Sequence, residues 1–259
     1  MKILILGAGK MGAFFTDVLC MAHDVALFDT DALRLRFAFN TLRMTRYEEI
    51  RDFAPDLLIN CVTLKHTVEA FCSVQPFLPA TCIVSDIASV KTGLRDFYLS
   101  SGFRFVSTHP MFGPTFASLD DLSRQNAIVI SESDPFGKAF FKELYRSLGL
   151  SIFEYSFEEH DQTIAYSLSV PFASTLVFTS TMKAIEAPGT TFKRHMDIAK
   201  GLLSEDDYLL SEILFNPYTS PRLEEIRAEL SALLDIVERK DASAMQEYLK
   251  RVRKNIERY

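Results

Sequence analysis

The sequence predicts an α/β fold, with an N-terminal doubly wound parallel sheet followed by an all-α C-terminal domain. Three observations indicate this. A short apolar run, MKILIL, leads into glycines at G-x-G-x-x-G spacing. Strand-like apolar runs then alternate with helical patterns, as in successive βαβ units. Strand patterns stop in the second half of the chain, where only helical periodicity remains. We therefore expect a first domain at residues 1–156 and a second at 157–259.

The glycine motif predicts a Rossmann-type dinucleotide site. Gly7 permits a tight turn, Gly9 lets the backbone approach a pyrophosphate, and Gly12 lets the next helix pack on the strand. The N-terminal N–H groups of that helix would face the phosphates. Lys10 and Met11, in the same loop, are also expected at the cofactor. A tight strand-to-helix turn that binds nothing is the alternative.

The second predicted strand, 25–28, ends at Asp29, where a dinucleotide site places an acidic residue. A carboxylate there accepts hydrogen bonds from the ribose 2′-OH of NAD and repels the 2′-phosphate of NADP. We therefore expect NAD. Arg34 and Arg36 follow closely and leave NADP open. Asp29 would also suit the cap of a helix that starts near Asp31.

The remaining elements of the first domain follow in order. Further helices are predicted at 31–39, 46–53, 65–74, 89–100 and 136–148. Further strands are predicted at 56–62, 81–87, 103–107, 127–130 and 151–154. Ligands bind beyond the carboxyl ends of the strands in such sheets. Val62 and Thr63, at the end of one strand, therefore join the expected cofactor contacts.

The second domain is predicted to consist of helices at 170–184, 192–200, 206–215, 222–239 and 242–256. Proline and glycine separate them. The last two carry more apolar residues than a small bundle would bury. Either a bundle core or a helical homodimer interface explains this, and we expect a homodimer through this domain.

Composition excludes several classes of function. The net charge of −6 and the absence of a basic block argue against nucleic acid as a partner. No apolar run reaches the ~18 residues of a membrane span, and the first run is too short for a signal peptide. The four cysteines form no C-x-x-C pair and suggest reduced core residues of a cytoplasmic protein, without a metal site. They are Cys20, Cys61, Cys72 and Cys82.

His109 is the strongest candidate for chemistry, because it follows a predicted strand directly and precedes Pro110. An unperturbed imidazole titrates near ~6.5, so it can take a proton from a substrate hydroxyl at neutral pH and loses that capacity in acid. A histidine that only caps the loop is the alternative. Ser89 follows another strand and suits a helix N-cap or a site role. Lys91 would by default be a solvated helix residue.

Four segments together resemble the prephenate dehydrogenase family, over nearly the full chain. They are GAGKMG at the start, DIASVK at 86–91, STHPMFGP at 107–114 and the step Glu159, His160, Asp161. The resemblance implies NAD(P)-dependent oxidation of prephenate, with loss of its ring carboxylate, to 4-hydroxyphenylpyruvate for tyrosine biosynthesis. It also implies that His109 polarises or deprotonates the ring hydroxyl and that Ser89 hydrogen-bonds the same region.

The second domain departs from the family pattern. Where many members have S-H-L-P-H, this chain has L-S-V-P-F at residues 168–172, so Ser169 and Phe172 stand in place of the two histidines. Ser169 is still expected to contact the substrate. The expected carboxylate-binding arginine is also displaced, which leaves Lys193, Arg194 and Lys200 as candidates, together with Arg124. Arogenate is therefore an alternative substrate. A dinucleotide-binding sensor without catalysis is an alternative of another class.

Overall fold

The computed structural model describes residues 1–113 and 122–258. Pro114, the last residue of the STHPMFGP segment, lies outside the described residues. The chain forms two compact units. One comprises Met1–Thr163 with Asp207–Glu212, and the other comprises Ile164–Asp206 with Ile213–Tyr259. Within the described ranges, no helix is long and apolar enough to cross a bilayer.

The first unit is built on a sheet that has eight strands in the described residues. They are β1 (Lys2–Leu6), β2 (Asp24–Phe28), β3 (Leu42–Met44), β4 (Leu57–Asn60), β5 (Ile83–Asp86), β6 (Arg104–Pro110), β7 (Asn126–Ile130) and β8 (Ser151–Tyr155). The strand order is β3-β2-β1-β4-β5-β6-β7-β8. The chain order reverses between β1 and β4, which is where open α/β sheets bind ligands.

The helices of the described chain follow the predicted division. They are α1 (Lys10–Leu19), α2 (Tyr47–Phe53), α3 (Thr67–Val74), α4 (Leu94–Ser101), α5 (Pro135–Ser147), α6 (Phe157–Ile164), α7 (Val170–Ser180), α8 (Thr190–Leu202), α9 (Asp207–Leu214), α10 (Thr219–Arg239) and α11 (Ala242–Ile256). Strands occur with intervening helices up to β8, although β3 follows β2 without a helix, and only helices follow β8. The predicted fold class is confirmed.

Each face of the sheet has its own core, which explains the continuous apolar runs. Ile3 and Ile5 of β1 pack on one face with Phe15 of α1. Leu4 and Leu6 pack on the opposite face, in the core that also holds residues of α2, α3 and α4. A strand buried on both faces has no polar alternation.

The region between β2 and β3 differs from the prediction in two ways. Residues 31–39 form successive turns rather than a helix, with hydrogen bonds such as that from the Arg34 N–H to the Asp31 carbonyl. Leu33, Phe37 and Phe39 are more than two-thirds exposed, so no apolar face packs to stabilise a helix. The short edge strand β3 follows and was not predicted, because three residues carry too little pattern.

Three further predictions need correction. The helix expected from Ser89 begins only at Leu94, so Ser89 is not its N-cap. The sheet is parallel from β3 to β6, but β7 runs antiparallel to β6. A buried apolar run has the same pattern in either direction, so the sequence does not reveal this reversal. Cys72 is exposed rather than a core residue.

Candidate active site

The glycine loop after β1 has the shape that its spacing predicts. Gly7 has a φ of +90°, and a Cβ there would lie 3.2 Å from the Cys61 backbone. A Cβ on Gly12 would lie 1.9 Å from the Gly7 carbonyl oxygen, so only glycine lets α1 start this close to β1. A Cβ on Gly9 would meet no atom within 4 Å, which leaves the N-terminus of α1 open to a ligand.

A cleft of about 540 Å³ lies beyond the carboxyl ends of β1, β2 and β4. Five of the predicted cofactor contacts line it, namely Gly7, Gly9, Asp29, Val62 and Thr63. Lys10 is exposed at the start of α1, and Met11 packs against the core. The cleft occupies the switch point of the sheet and is bordered by tight glycine backbone, which fits a dinucleotide.

Asp29 connects the end of β2 to the glycine loop. One carboxylate oxygen accepts a 2.8 Å hydrogen bond from the Ala8 N–H, and the other accepts one of 2.9 Å from the Asp31 N–H. No helix begins at Asp31, so the helix-cap alternative is wrong. Arg34 lines the cleft, whereas the Arg36 guanidinium lies over the Phe37 ring at 4.6 Å.

A buried ion pair stands at the carboxyl end of β5. The Lys91 ammonium donates to Asp86 Oδ1 at 2.5 Å and to the Thr108 carbonyl at 2.7 Å, and both side chains of the pair are fully buried. The Tyr98 hydroxyl donates to the other Asp86 oxygen at 2.6 Å. Lys91 is thus an interior residue, contrary to the prediction. These bonds hold the loop between β5 and α4 and explain the late helix start.

His109 lies within the last residues of β6, where it pairs with Ile128 of β7. Its Nδ1 lies 3.1 Å from His160 Nε2, and His160 Nδ1 lies 3.0 Å from Asp161 Oδ1. The three side chains form an Asp161–His160–His109 relay. His109 is 6% exposed and His160 is fully buried. Pro110 closes the strand, so the loop-capping alternative does not describe this histidine.

Burial controls the ionisation of the relay. Loss of hydration, with His160 and Lys91 nearby, holds the pKa of His109 well below its usual value. Burial lowers the pKa of His160 to about 3. It raises the pKa of Asp161 to about 6, against the opposing effect of Lys91. These shifts favour the neutral form of both imidazoles at neutral pH.

The other predicted site residues differ in how far they are buried within their own units. Ser89 is half-buried in the loop after β5, and Arg124 is exposed. In the second unit, Ser169 is fully buried, donates to the Ile213 carbonyl at 2.9 Å and accepts from Thr219. The three candidate cations of that unit are exposed on α8; they are Lys193, Arg194 and Lys200.

Sequence reasoning missed the roles of Asp86, Lys91 and Asp161. A usable signal exists for Asp86, because a carboxylate at the end of a strand that is predicted to be buried must find a cation or several donors inside the protein. Lys91 is the nearest cation along the chain. No comparable signal predicts that Asp161 acts on His109. The connection runs through His160, which lies 51 residues from His109 in the sequence.

Comparison with known proteins agrees with this geometry. Residues 19–148 match the family model described as the nucleotide-binding domain of prephenate dehydrogenase. The chain is 22% identical to the probable arogenate/prephenate dehydrogenase of Methanocaldococcus jannaschii, over 77% of this chain and 48% of that protein. It thus spans about half the length of that relative, and 39% of the length of the chloroplastic arogenate dehydrogenase 1 of Arabidopsis thaliana.

Solved structures share the fold. Prephenate dehydrogenase from Aquifex aeolicus, in complex with hydroxyphenyl propionate and NAD+, superposes with a TM-score of 0.86 at 23% identity, covering 100% of this chain and 98% of that one. Synechocystis arogenate dehydrogenase has a TM-score of 0.78 at 17% identity, with full coverage of both chains. Because the family model covers half of the sequence, the chain belongs to the prephenate dehydrogenase family.

Proposed function

We propose that this chain is an NAD-dependent dehydrogenase that converts prephenate to 4-hydroxyphenylpyruvate, with release of carbon dioxide. The observation that carries the proposal is the buried, neutral His109 at the same sheet edge as the glycine-lined cleft. Family membership and the NAD+ complex of the Aquifex aeolicus enzyme support it. Because the curated relatives are longer, the activity is a proposal about this chain and not a transfer from them.

The residues of the cleft fit the dinucleotide. Gly9 leaves room for the pyrophosphate at the N-terminus of α1, and Asp29 presents a carboxylate at the end of β2 for a ribose hydroxyl. The bound nicotinamide supplies the hydride acceptor. Arg34, which lines the same cleft, is the residue that would favour NADP if the Asp29 carboxylate did not exclude the 2′-phosphate.

For this reaction the protein has to orient the substrate against the cofactor and remove the proton of the ring hydroxyl. His109 accepts the proton of the ring hydroxyl as the hydride leaves the same carbon, which gives a ketone. The ring carboxylate then leaves as carbon dioxide, and the electron pair of the broken bond restores aromaticity. The former ketone oxygen becomes a phenolate, which takes the proton back from His109. A positioned base contributes about 10²–10⁴ to the rate of such a step. Ser89, near the end of β5, would hydrogen-bond the same hydroxyl.

Carboxylate recognition is assigned to the exposed cations of α8, with Lys193 and Arg194 as first candidates and Lys200 as a weaker one. Lys200 lies 3.6 Å from Asp197, and this exposed pair reduces its availability. Ser169 stays a predicted contact, although its hydroxyl is held inside the second unit. Substitution of Lys193 or Arg194 by alanine should raise KM with little change in kcat if either binds a carboxylate throughout the reaction.

Arogenate is the second candidate substrate. Its support is the replacement of both family histidines, by Ser169 and Phe172, and the similarity to proteins described as arogenate dehydrogenases. One steady-state assay separates the candidates: reduction of NAD and of NADP by purified protein with each substrate. Prephenate with NAD should give the highest kcat/KM. Higher efficiency with arogenate would reassign the substrate, and no turnover with either would favour the non-catalytic sensor.

A homodimer through the helical unit and a cytoplasmic location complete the proposal. Apolar side chains remain more than half exposed on α10, namely Leu230, Leu234 and Val237. Exposed leucines in a regular row are typical of a surface that a second copy covers. Light scattering at micromolar concentration should give twice the mass of 29.4 kDa. A monomer would contradict the dimer without affecting the proposed chemistry.

A further inference from the structure

The Asp161–His160–His109 relay has a feature that the proposed reaction does not explain by itself. His109 could act as a base without any partner on Nδ1, yet its Nδ1 meets a second buried imidazole at 3.1 Å. That imidazole in turn meets a carboxylate at 3.0 Å, and the Asp161 side chain is only 18% exposed. Two buried histidines in series require a defined arrangement of protons, because each neutral imidazole carries one N–H.

The arrangement follows from the carboxylate. An ionised Asp161 only accepts hydrogen bonds, so His160 must carry its proton on Nδ1. A neutral His160 then has a lone pair on Nε2 and accepts from the Nδ1–H of His109. A neutral His109 therefore has no proton on Nε2. The Nε2 of His109 therefore carries the lone pair that a general base needs.

We propose that Asp161 is a positioning residue, which acts through His160 to keep the His109 proton on Nδ1 and its Nε2 available as the base. Protonation of Asp161 removes the negative charge that keeps the His160 and His109 protons on their Nδ1 atoms. The protonated carboxyl group can donate to His160 Nδ1. His160 then donates from Nε2 to His109 Nδ1, and the His109 proton moves to Nε2. No proton is lost or gained beyond the one added to Asp161, and the base is switched off.

The surrounding charges are compatible with this switch. Lys91, from the loop after β5, faces Asp161, His160 and His109, and Asp86 at the end of β5 faces His160. The Lys91 ammonium donates to Asp86 Oδ1 at 2.5 Å, so the Asp86 carboxylate neutralises the positive charge next to the relay. Burial raises the pKa of Asp161 to about 6, which puts the change of state within the range of an activity assay.

The proposal rests on the proposed function for its kinetic consequence but not for its proton arrangement. Nitrogen-15 NMR distinguishes protonated from unprotonated ring nitrogens, and the chain has only five histidines to assign. At pH 8 without substrate, His109 should be protonated on Nδ1 and not on Nε2. Below about pH 5.5, His109 should be protonated on Nε2 and not on Nδ1. An Nε2–H tautomer at pH 8 would overturn the proposal whether or not the protein turns over prephenate.

The kinetic test uses Asp161→Asn, with Glu159→Gln as the matched control. Glu159 is an exposed carboxylate on the same helix that accepts from the Ser156 N–H and stands outside the relay. The wild-type kcat/KM should fall below about pH 6, and Asp161→Asn should lose that acid limb while kcat drops about 10- to 100-fold. Glu159→Gln should keep both the limb and the rate.

His160→Gln is a second variant, which tests the proposal if Asp161→Asn fails to fold. Glutamine at position 160 can place an amide carbonyl near the former Nε2 and so keep an acceptor for His109 Nδ1–H without a path to Asp161. His160→Gln should retain more activity than Asp161→Asn and should also lack the acid limb. An unchanged acid limb in either folded variant would overturn the role of Asp161.

Discussion

The buried carboxyl group of Asp161 should make the stability of the protein depend on pH in an unusual direction. Burial raises its pKa from 3.8 to about 6, so the folded state binds the proton more tightly than the unfolded state. The stability gained from this proton is complete below about pH 4 and is lost as the pH rises through 6. A difference of about two pKa units corresponds to about 3 kcal/mol, an upper value for a side chain that keeps some exposure.

Asp161→Asn removes this titration. The free energy of unfolding of the variant, minus that of the wild type, should therefore increase by up to about 3 kcal/mol between pH 4 and pH 8. The variant should gain stability relative to wild type at the pH where it loses activity. A residue retained only for stability would show the opposite.

Urea unfolding followed by circular dichroism measures the difference, since the chain contains no tryptophan for fluorescence. Glu159→Gln is again the control. Hydrogen bonds from Ser156 lower the pKa of Glu159, so that carboxylate contributes stability above its unfolded pKa and loses it in acid. The free energy of unfolding of Glu159→Gln should therefore fall relative to that of the wild type as the pH rises. A difference for Asp161→Asn that does not change with pH, or one that changes in the direction of the control, would show that the pKa of Asp161 is not raised by folding.

Three further predictions concern the fold and the cleft. Lys91→Met leaves the Asp86 carboxylate buried without its cation and should lower the free energy of unfolding by about 3–5 kcal/mol, as measured in urea. Gly12→Ala should destabilise the protein, because its Cβ would lie 1.9 Å from a carbonyl oxygen, whereas Gly9→Ala should keep the stability and weaken NAD binding in a titration. Asp29→Asn should lower the ratio of kcat/KM for NAD over NADP at least about 10-fold, and an unchanged ratio would remove Asp29 from cofactor selection.

The glycine motif and the buried strands could be predicted because each has a local cause. The pattern at Gly7, Gly9 and Gly12 encodes steric limits that act within a few residues. The apolar run of β1 reflects burial on both faces of a sheet. Motif order was enough to suggest the family, and the match of residues 19–148 confirms it.

The interior of the site could not be predicted because its contacts are long-range. Lys91 looked like a solvated helix residue, since nothing local shows that its ammonium reaches the Thr108 carbonyl. Asp161 follows His160 in sequence, but its effect on His109 requires α6 to pack against β6. The direction of β7 and the turns at 31–39 also depend on packing that the local pattern does not contain.

His109→Asn tests whether His109 is the base of an NAD-dependent dehydrogenase. NADH formation from prephenate and NAD is compared for wild type and variant at pH 8, with the NAD dissociation constant of each measured separately. We expect an unchanged dissociation constant and a kcat lower by about 10²–10⁴. A folded variant that binds NAD and turns over at the wild-type rate would contradict it.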